Sequence, residues 1–286
     1  MIPSAPSSMT REKIVSIRGL KFTYEGGVEA IRDVNLDIRY GEYIAIVGGN
    51  GSGKTTLAKN MNGLLRPTSG SVAVMDKPTS EQKVAALAKI VGYAFQNPDH
   101  QLFCSSVEEE VRFGPTNLGY PDEAIRDKVE KAIEAMNLQQ FRKLPPLTLR
   151  LGERRRVSIA SVIAMDPQVL ILDEPTTGLD AGESAELMHR LKRLNDEGKT
   201  IILITHDMKL VAEHAKRVVV MARGKVLLDS DPRGAFSDLE ILRQSSLEPP
   251  AVTQLAHRLS AYDIPRDIVS PEELVFHLMR AGGEIR

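Results

Sequence analysis

The chain has 286 residues, of which 42% are hydrophobic and 26% charged, enough for one large domain or for a large and a small one. Its formal net charge of −1 provides no overall basic field, so we expect no nucleic acid partner. The single cysteine, Cys104, excludes an intrachain disulfide and a cysteine metal cluster, and it fits a reducing cytosol. No apolar run approaches the ~20 residues that span a bilayer, so any membrane link must go through a partner.

The first part of the chain predicts short strands ahead of a glycine-rich loop. Residues 1–10 lack the apolar centre of a signal peptide and predict a flexible tail, with Met9 as an alternative start. Residues 43–48 form a continuous apolar run, which is typical of a strand buried on both faces, and a helix follows the loop. Three shorter runs predict further strands, with a turn in the sequence YEGG: residues 14–17, 22–24 and 34–38.

The middle of the chain, about residues 97–165, is more polar and predicts a helical subdomain. Within it, Arg154, Arg155 and Arg156 predict the solvated start of a helix. Beyond it, residues 169–173 and 200–205 predict two more buried strands, and a hairpin turns at Arg223 and Gly224. Four apolar residues of the subdomain recur at helical spacing: Ile125, Val129, Ile133 and Met136.

Residues 231–286 predict a small C-terminal helical domain. The sequence SSLEPP at residues 245–250 has the composition of a linker, and two short helices follow it. Ser270 is predicted to cap the second helix, with Pro271 at its first position and Glu273 completing a capping box.

Residues 48–56, GGNGSGKTT, match the phosphate-binding pattern GxxxxGK[ST] between a predicted strand and a predicted helix. The glycines let successive N–H groups point at phosphate oxygens, and the helix adds the positive end of its dipole. Lys54 reaches the β- and γ-phosphates, and the Thr55 hydroxyl binds Mg²⁺. The sequence therefore predicts an ATP-binding loop of nine residues: Gly48, Gly49, Asn50, Gly51, Ser52, Gly53, Lys54, Thr55 and Thr56.

Acidic residues and a histidine follow the two later buried strands. Asp173 suits the coordination shell of Mg²⁺, and the neighbouring Glu174 could polarise an attacking water. A strand-end Asp–Glu pair by itself would be a solvated turn, but the phosphate-binding loop upstream favours a catalytic role. His206 ends a strand parallel to the other two, at the edge where ligands of open α/β sheets bind.

These motifs, with Gln96, residues 149–157 and the sequence TTGLD, occur in the order of an ABC-type ATPase, which the chain resembles over nearly its whole length. Residues 91–115 and the C-terminal segment look more narrowly like the ATPase subunits of energy-coupling factor transporters, which import vitamins or transition-metal ions. The resemblance implies an α/β P-loop fold of the ABC type over residues 11–230. That fold has a parallel core sheet, an antiparallel β subdomain and a helical subdomain, here with the small C-terminal helical domain added.

The resemblance also implies roles for individual residues. Tyr24 would stack on adenine, and Gln96 would contact Mg²⁺ and the attacking water. Glu174 would be the general base, while His206 would hold the γ-phosphate and the water in place. Asp180 would cross the dimer interface to the partner's site.

Partners follow from the same resemblance. Such ATPases act as head-to-tail dimers, here with a copy of this chain or a paralogue, and the C-terminal domain would contribute a dimer contact. Residues 97–115 would receive a helix of an integral membrane coupling subunit, with Phe95, Leu102 and Phe103 lining the groove. A separate membrane subunit would bind the substrate, which places this chain on the cytoplasmic face of the membrane.

The signature loop of the family, usually LSGGQ, is altered in this chain. Leu149, Gly152 and Glu153 fit the pattern, but Arg150 replaces the serine that donates to the γ-phosphate. Leu151 replaces a glycine that lets the backbone approach the phosphate. Because each signature loop serves the partner's ATP, we expect an asymmetric heterodimer, with one site that hydrolyses ATP well and one that turns over slowly.

Two other functions stay open from the sequence. A non-transport ABC ATPase acting on DNA would carry a long coiled coil between Thr55 and Asp173, but no heptads appear there. One acting on ribosomes usually carries two cassettes, and this sequence shows one phosphate-binding loop. A regulatory nucleotide-binding subunit with little hydrolysis is favoured only by the altered signature. The presence of Glu174 and His206 argues against the regulatory subunit.

Overall fold

The computed structural model describes residues 12–283 of the chain, so the predicted tail, residues 1–10, and Met9 lie outside the described residues. Its strands are β1 (Lys13–Thr23), β2 (Glu29–Arg39), β3 (Tyr43–Val47), β4 (Ser69–Val74), β5 (Lys77–Pro78), β6 (Val91–Ala94), β7 (Val169–Asp173), β8 (Thr200–Thr205), β9 (Arg217–Ala222) and β10 (Lys225–Ser230). Its α-helices are α1 (Lys54–Met61), α2 (Val84–Ala88), α3 (Val107–Asn117), α4 (Asp122–Ala135), α5 (Leu151–Ile163), α6 (Ala181–Asp196), α7 (Met208–His214), α8 (Pro232–Ser237), α9 (Leu239–Gln244), α10 (Ala251–Arg258) and α11 (Pro271–Gly283).

A six-stranded sheet in the order β10-β9-β3-β8-β7-β6 forms the centre of the molecule. Its strands are parallel except β10, which pairs antiparallel with β9 at one edge. Every residue of β3, β7 and β8 is buried, as their continuous apolar runs predict. Because these strands are parallel neighbours, the loops after them meet at one edge of the sheet.

A second, antiparallel sheet has the order β2-β1-β4-β5. The prediction of separate strands at 14–17 and 22–24 is wrong, because residues 14–17 and 22–23 belong to one strand, β1, and Tyr24 lies just beyond its end. Gly19, with φ +54°, and a register shift between Ile17 and Leu20 let the strand continue its pairing with β2. The predicted YEGG turn is confirmed between β1 and β2, where the Gly27 N–H donates to the Tyr24 carbonyl.

Helices α3, α4 and α5 lie between β6 and β7 in the chain, within the predicted helical segment. The four apolar residues expected on one helical face are all buried in one apolar cluster: Ile125, Val129, Ile133 and Met136. In the described part of the chain, no helix combines the length and the apolar character needed to cross a membrane.

The two helices expected after residue 250 are confirmed as α10 and α11, and two further helices, α8 and α9, lie before the predicted linker. Phe236, Leu242 and Leu247 share an apolar cluster with Val47 and Val220 of the central sheet, so α8 and α9 pack on that sheet. A separate cluster joins the last two helices and the turn between them: Ala256, Ile264, Ile268 and Leu274. The domain boundary at residue 231 stays a prediction.

Two details of this segment differ from the sequence expectation. The predicted linker is packed rather than free, since Ser245 is buried and its carbonyl accepts a 2.8 Å hydrogen bond from the Gly49 N–H. Ser270 caps α11 by accepting from the Glu273 N–H at 3.2 Å. However, the Glu273 carboxylate accepts from the Val269 N–H and pairs with Arg233, so the reciprocal half of the predicted capping box is wrong.

Candidate nucleotide-binding site

The loop from residue 48 to 53 connects β3 to the first turn of α1. Gly53 has φ +103°, and a Cβ there would lie 2.7 Å from the Ala30 carbonyl oxygen. At Gly48 a Cβ would overlap the Met221 carbonyl oxygen. The close approach of these carbonyl oxygens therefore requires glycine at both positions. The loop ends at the N-terminus of α1, where N–H groups and the helix dipole favour an anion.

The side chain of Lys54, the first residue of α1, is enclosed by this loop, and the residue is only 8% exposed. Its ammonium donates to the carbonyls of Gly48 at 2.7 Å and Gly49 at 3.0 Å, and it lies 3.4 Å from Ser52 Oγ. Burial lowers the pKa of Lys54, while the carboxylates of Glu174 and Asp173 act in the opposite direction. The cation is therefore held where phosphate oxygens would approach the loop.

Asp173 and Thr55 form the part of the site suited to a divalent cation. Thr55 Oγ1 donates to Asp173 Oδ2 at 2.8 Å, and Asp173 is 3% exposed. Tyr93 on β6 donates its hydroxyl to the same oxygen at 2.6 Å, a contact that the sequence analysis missed. Burial and the neighbouring Asp173 raise the pKa of Tyr93, so it stays a neutral donor. Hydroxyl and carboxylate oxygens are ligands that Mg²⁺ accepts.

Glu174 follows β7 directly and is held by contacts on several sides. It is 8% exposed, has the left-handed φ of +48°, and donates its N–H to the Ile204 carbonyl at 2.8 Å. Its Oε1 lies 2.7 Å from His206 Nδ1, and its Oε2 accepts from Thr205 Oγ1 at 3.4 Å. The imidazole of His206 is 63% exposed, so the buried Glu174 carboxylate has a solvent-accessible hydrogen-bond partner.

A cavity of about 170 Å³ brings most of the predicted residues together. Its lining consists of Asn50, Gly51, Ser52, Gly53, Lys54, Thr55, Thr56, Gln96, Asp173 and Glu174. A larger crevice of about 550 Å³ lies among α4, α5 and α6, but charged side chains that line it, such as Lys128 and Asp166, pair with each other. The smaller cavity is the candidate site because it alone combines the loop, the lysine and the carboxylates.

Tyr24 lies beside the site rather than in the cavity lining. Its hydroxyl is 3.0 Å from Thr56 Oγ1, its ring packs edge-to-face on Phe22, and 41% of the residue is exposed. The residue is thus partly exposed next to the start of α1, and its stacking on adenine stays a prediction.

The altered signature loop forms the N-terminus of α5, away from the cavity lining. Arg150 is exposed and donates its N–H to Glu153 Oε2 at 2.8 Å, so the Glu153 carboxylate caps the start of α5. Leu151 packs against the loop between β7 and α6, since a Cβ on Gly178 in that loop would lie 2.6 Å from Leu151 Cδ2. The buried Gly152 lies against the carboxylate of Glu183 in the same way.

Asp180 begins α6 at the end of the loop after β7. Its Oδ1 accepts from the Glu183 N–H at 2.8 Å, and the Glu183 carboxylate lies 3.3 Å from the Asp180 N. Asp180 is exposed, so a contact with a second subunit stays a prediction.

The expectation that the three consecutive arginines form a solvated face is wrong for Arg155, which is 3% exposed. The three arginines face different surroundings although they are adjacent in the chain.

The predicted groove lining is only partly exposed. Leu102 is buried, at 3%, and Phe95 packs against Tyr93, so Phe103 is the exposed member of the predicted groove lining.

Comparisons with known proteins show the family to which the chain is similar. A family model described as ABC transporter matches residues 31–177. An energy-coupling factor transporter ATP-binding protein of Caldanaerobacter subterraneus is 44% identical over 275 residues, which cover 93% of this chain and 99% of that protein. A putative ABC transporter ATP-binding protein of the same organism is 45% identical over 92% of this chain, which spans 45% of its length. The chain thus spans about half the length of several curated relatives that it matches.

Two solved structures share the fold. CbiO1 of Clostridium perfringens, described as part of the ABC transporter complex CbiONQ, superposes with a TM-score of 0.74 and 38% identity, covering 86% of this chain and all of CbiO1. A dimeric ATP-binding cassette in a post-hydrolysis state, bound to ADP and phosphate, gives a TM-score of 0.70 and 28% identity. That match covers 77% of this chain and 99% of the cassette.

Proposed function

The chain belongs to the ABC transporter family of ATP-binding proteins, of the energy-coupling factor type, and on this basis we propose that it powers substrate import by hydrolysing ATP. The observation that carries the proposal is one cavity that holds the phosphate-binding loop, Lys54, Asp173 and Glu174 together. A binding module without hydrolysis would not need a buried carboxylate fixed next to an exposed histidine.

Hydrolysis at this site requires positioning more than covalent chemistry. The loop N–H groups and the N-terminus of α1 bind the phosphates, and Lys54 neutralises their charge. A water oxygen attacks the γ-phosphorus while the bond to the β–γ bridging oxygen breaks, and Glu174 takes the proton of the water. His206, hydrogen-bonded to Glu174, orients the carboxylate and would contact the γ-phosphoryl group as ADP leaves.

Mg²⁺ fits the oxygen donors of this site. Thr55, Asp173 and Gln96 would hold it, because all three line the cavity and carry a hydroxyl, a carboxylate and an amide oxygen. When bound, the ion would neutralise charge on the β- and γ-phosphates. The hydroxyl of Tyr93 fixes the Asp173 carboxylate from the buried side.

The proposed assembly is a head-to-tail ATPase dimer, bound at the cytoplasmic face to an integral membrane coupling subunit and a separate substrate-binding subunit. Support for a membrane contact comes from the segment after Gln96. Phe103 and Phe113 are 63% and 46% exposed, and their rings meet edge-to-face at 4.8 Å. Such paired exposed aromatics are suited to receiving a helix of the coupling subunit.

We infer that the dimer is an asymmetric heterodimer. Lys54, Asp173, Glu174 and the phosphate-binding loop provide a complete site, whereas Arg150 and Leu151 offer a poor signature to the partner's ATP. The side chain of Leu151 is engaged with Gly178 of its own chain, and the start of α5 lacks the serine hydroxyl. The fast site therefore combines this chain's loop with the signature of a paralogue.

The experiment that tests the function is purification of the tagged full-length chain from detergent-solubilised membranes, followed by identification of its stable subunits and measurement of ATP turnover. We expect membrane subunits and an intact-signature paralogue, with faster turnover in the complex than in the chain alone. Association with ribosomes or DNA alone, or absence of turnover in the complex, would overturn the proposal.

A further inference from the structure

Arg155 differs from the two arginines on either side of it. The side chain of Arg154 reaches the surface and pairs with Asp99 at 3.0 Å. Arg156 donates to the Met136 carbonyl at 3.1 Å, within the helical segment. Arg155 instead is almost completely buried, with 3% exposure.

The guanidinium of Arg155 donates to backbone carbonyls of two separate loops. One Nη donates to Gln96 O and lies 3.4 Å from Phe95 O, in the loop after β6. The other Nη donates to Thr177 O at 3.1 Å, in the loop after β7. Arg155 is thus the side chain that joins both loops to the helix starting at the signature.

The positive charge of Arg155 also interacts with carboxylates of the site. Burial lowers the pKa of Arg155, and the carboxylates of Asp173, Asp99 and Glu174 act against that effect. Within residues 12–283, the Arg155 Nε has no hydrogen-bond partner. Burying a cation with an unsatisfied donor lowers the stability of the fold. If Arg155 only filled space in the core, an apolar side chain would stabilise the fold better.

We propose that Arg155 is a positioning residue for ATP hydrolysis, which sets the backbone of Gln96 and of Thr177 relative to α5. This inference rests on the proposed function of the site. At the start of α5, Leu151 contacts Gly178 in the loop that leads to Asp180, and Gly152 lies against Glu183 of α6. A displacement of the signature loop when it meets the partner's ATP would therefore reach this chain's Gln96 through Arg155. The two nucleotide sites of a dimer would communicate by this route.

The test compares three variants of the full-length chain, each in its copurified complex: Arg155→Met, Arg155→Lys and the control Arg156→Met. Single-turnover hydrolysis of bound ATP and the dissociation constant for ATP are measured for each. We expect Arg155→Met to slow hydrolysis by about 10–100-fold, the scale of a small misplacement of reacting groups, with little change in ATP affinity. Arg155→Lys should recover part of the rate because it keeps the charge and donors, and Arg156→Met should match the wild type.

Hydrogen exchange provides a readout that does not depend on activity. Amides of residues 95–97 and 177–179 should exchange faster in Arg155→Met than in Arg156→Met. Unchanged exchange and rate in Arg155→Met would overturn the inference, and so would loss of ATP binding in parallel with the rate, which marks a purely structural residue. Absence of hydrolysis by the wild-type complex would instead contradict the proposed function, while the exchange result would still stand.

Discussion

Glu174 Oε1 and His206 Nδ1 lie 2.7 Å apart, although the two residues are 32 positions apart in the chain. They meet because each follows a strand of the parallel pair β7 and β8, whose register places Asp173 opposite Ile204. The left-handed backbone of Glu174 turns its carboxylate toward the histidine. The relative position of base and histidine is therefore set by the central sheet rather than by a flexible loop.

Tyr93→Phe should weaken the cation site. The change removes one of the two hydroxyl groups that bond Asp173 Oδ2, so the carboxylate is less firmly oriented. Loss of such an outer contact typically costs about tenfold in metal affinity, so the Mg²⁺ concentration for half-maximal turnover should rise by about that factor. A titration of turnover with Mg²⁺ measures it.

The matched control for this change is Tyr120→Phe. The Tyr120 hydroxyl bonds the Met165 carbonyl at 3.4 Å, outside the site. If Tyr93→Phe and Tyr120→Phe show the same Mg²⁺ dependence as the wild type, Asp173 does not serve the cation in the way proposed.

Arg150→Ser with Leu151→Gly should raise the turnover of the chain on its own. Serine can cap α5 and offer a hydroxyl to the partner's γ-phosphate, and glycine releases the contact with Gly178. Steady-state ATPase assays of both single variants and the double variant separate the two effects. Fast turnover by the unaltered homodimer, or no gain in the double variant, would argue against an impaired signature.

Asp37→Asn should lower the free energy of unfolding in a pH-dependent way. Although partial burial acts to raise it, hydrogen bonds from Lys13, Ser16 and Arg18 lower the pKa of Asp37 from 3.8 to about 2. A carboxyl with a depressed pKa stabilises the fold above its unfolded pKa and loses this effect as the pH falls through its folded pKa. The stability difference from wild type should be constant near neutral pH and shrink between about pH 4 and pH 2.

Urea unfolding at several pH values measures this difference. The control is Asp127→Asn, because Asp127 is 59% exposed in its pair with Lys131 and such pairs add little to stability. A stability loss in Asp37→Asn that persists unchanged to pH 2 would contradict the assigned cause.

Local chemistry made much of the site predictable. The phosphate-binding loop from Gly48 to Thr55 could be predicted from the sequence, because such a loop needs those residue types at fixed spacing. Buried parallel strands are continuous apolar runs, so their ends, and with them Asp173 and His206, could be placed.

Other parts depend on tertiary contacts that leave no local pattern. Arg154, Arg155 and Arg156 are chemically identical, and only the packing of α5 against two loops buries the middle one. Tyr93 looks like an ordinary residue of a buried strand until β6 and β7 are paired next to Asp173. Likewise, the approach of Ser245 to Gly49 joins positions too far apart for composition to reveal.

ATP turnover by Glu174→Gln, in the full-length chain with its copurified subunits and Mg²⁺, tests the central claim most directly. Glutamine keeps the shape of the side chain but cannot accept the proton of the attacking water. We predict that turnover falls by about 100-fold or more while ATP binding is retained, with Glu213→Gln as an exposed control. Turnover by Glu174→Gln at the wild-type rate would contradict the assignment of this cavity as the site of hydrolysis.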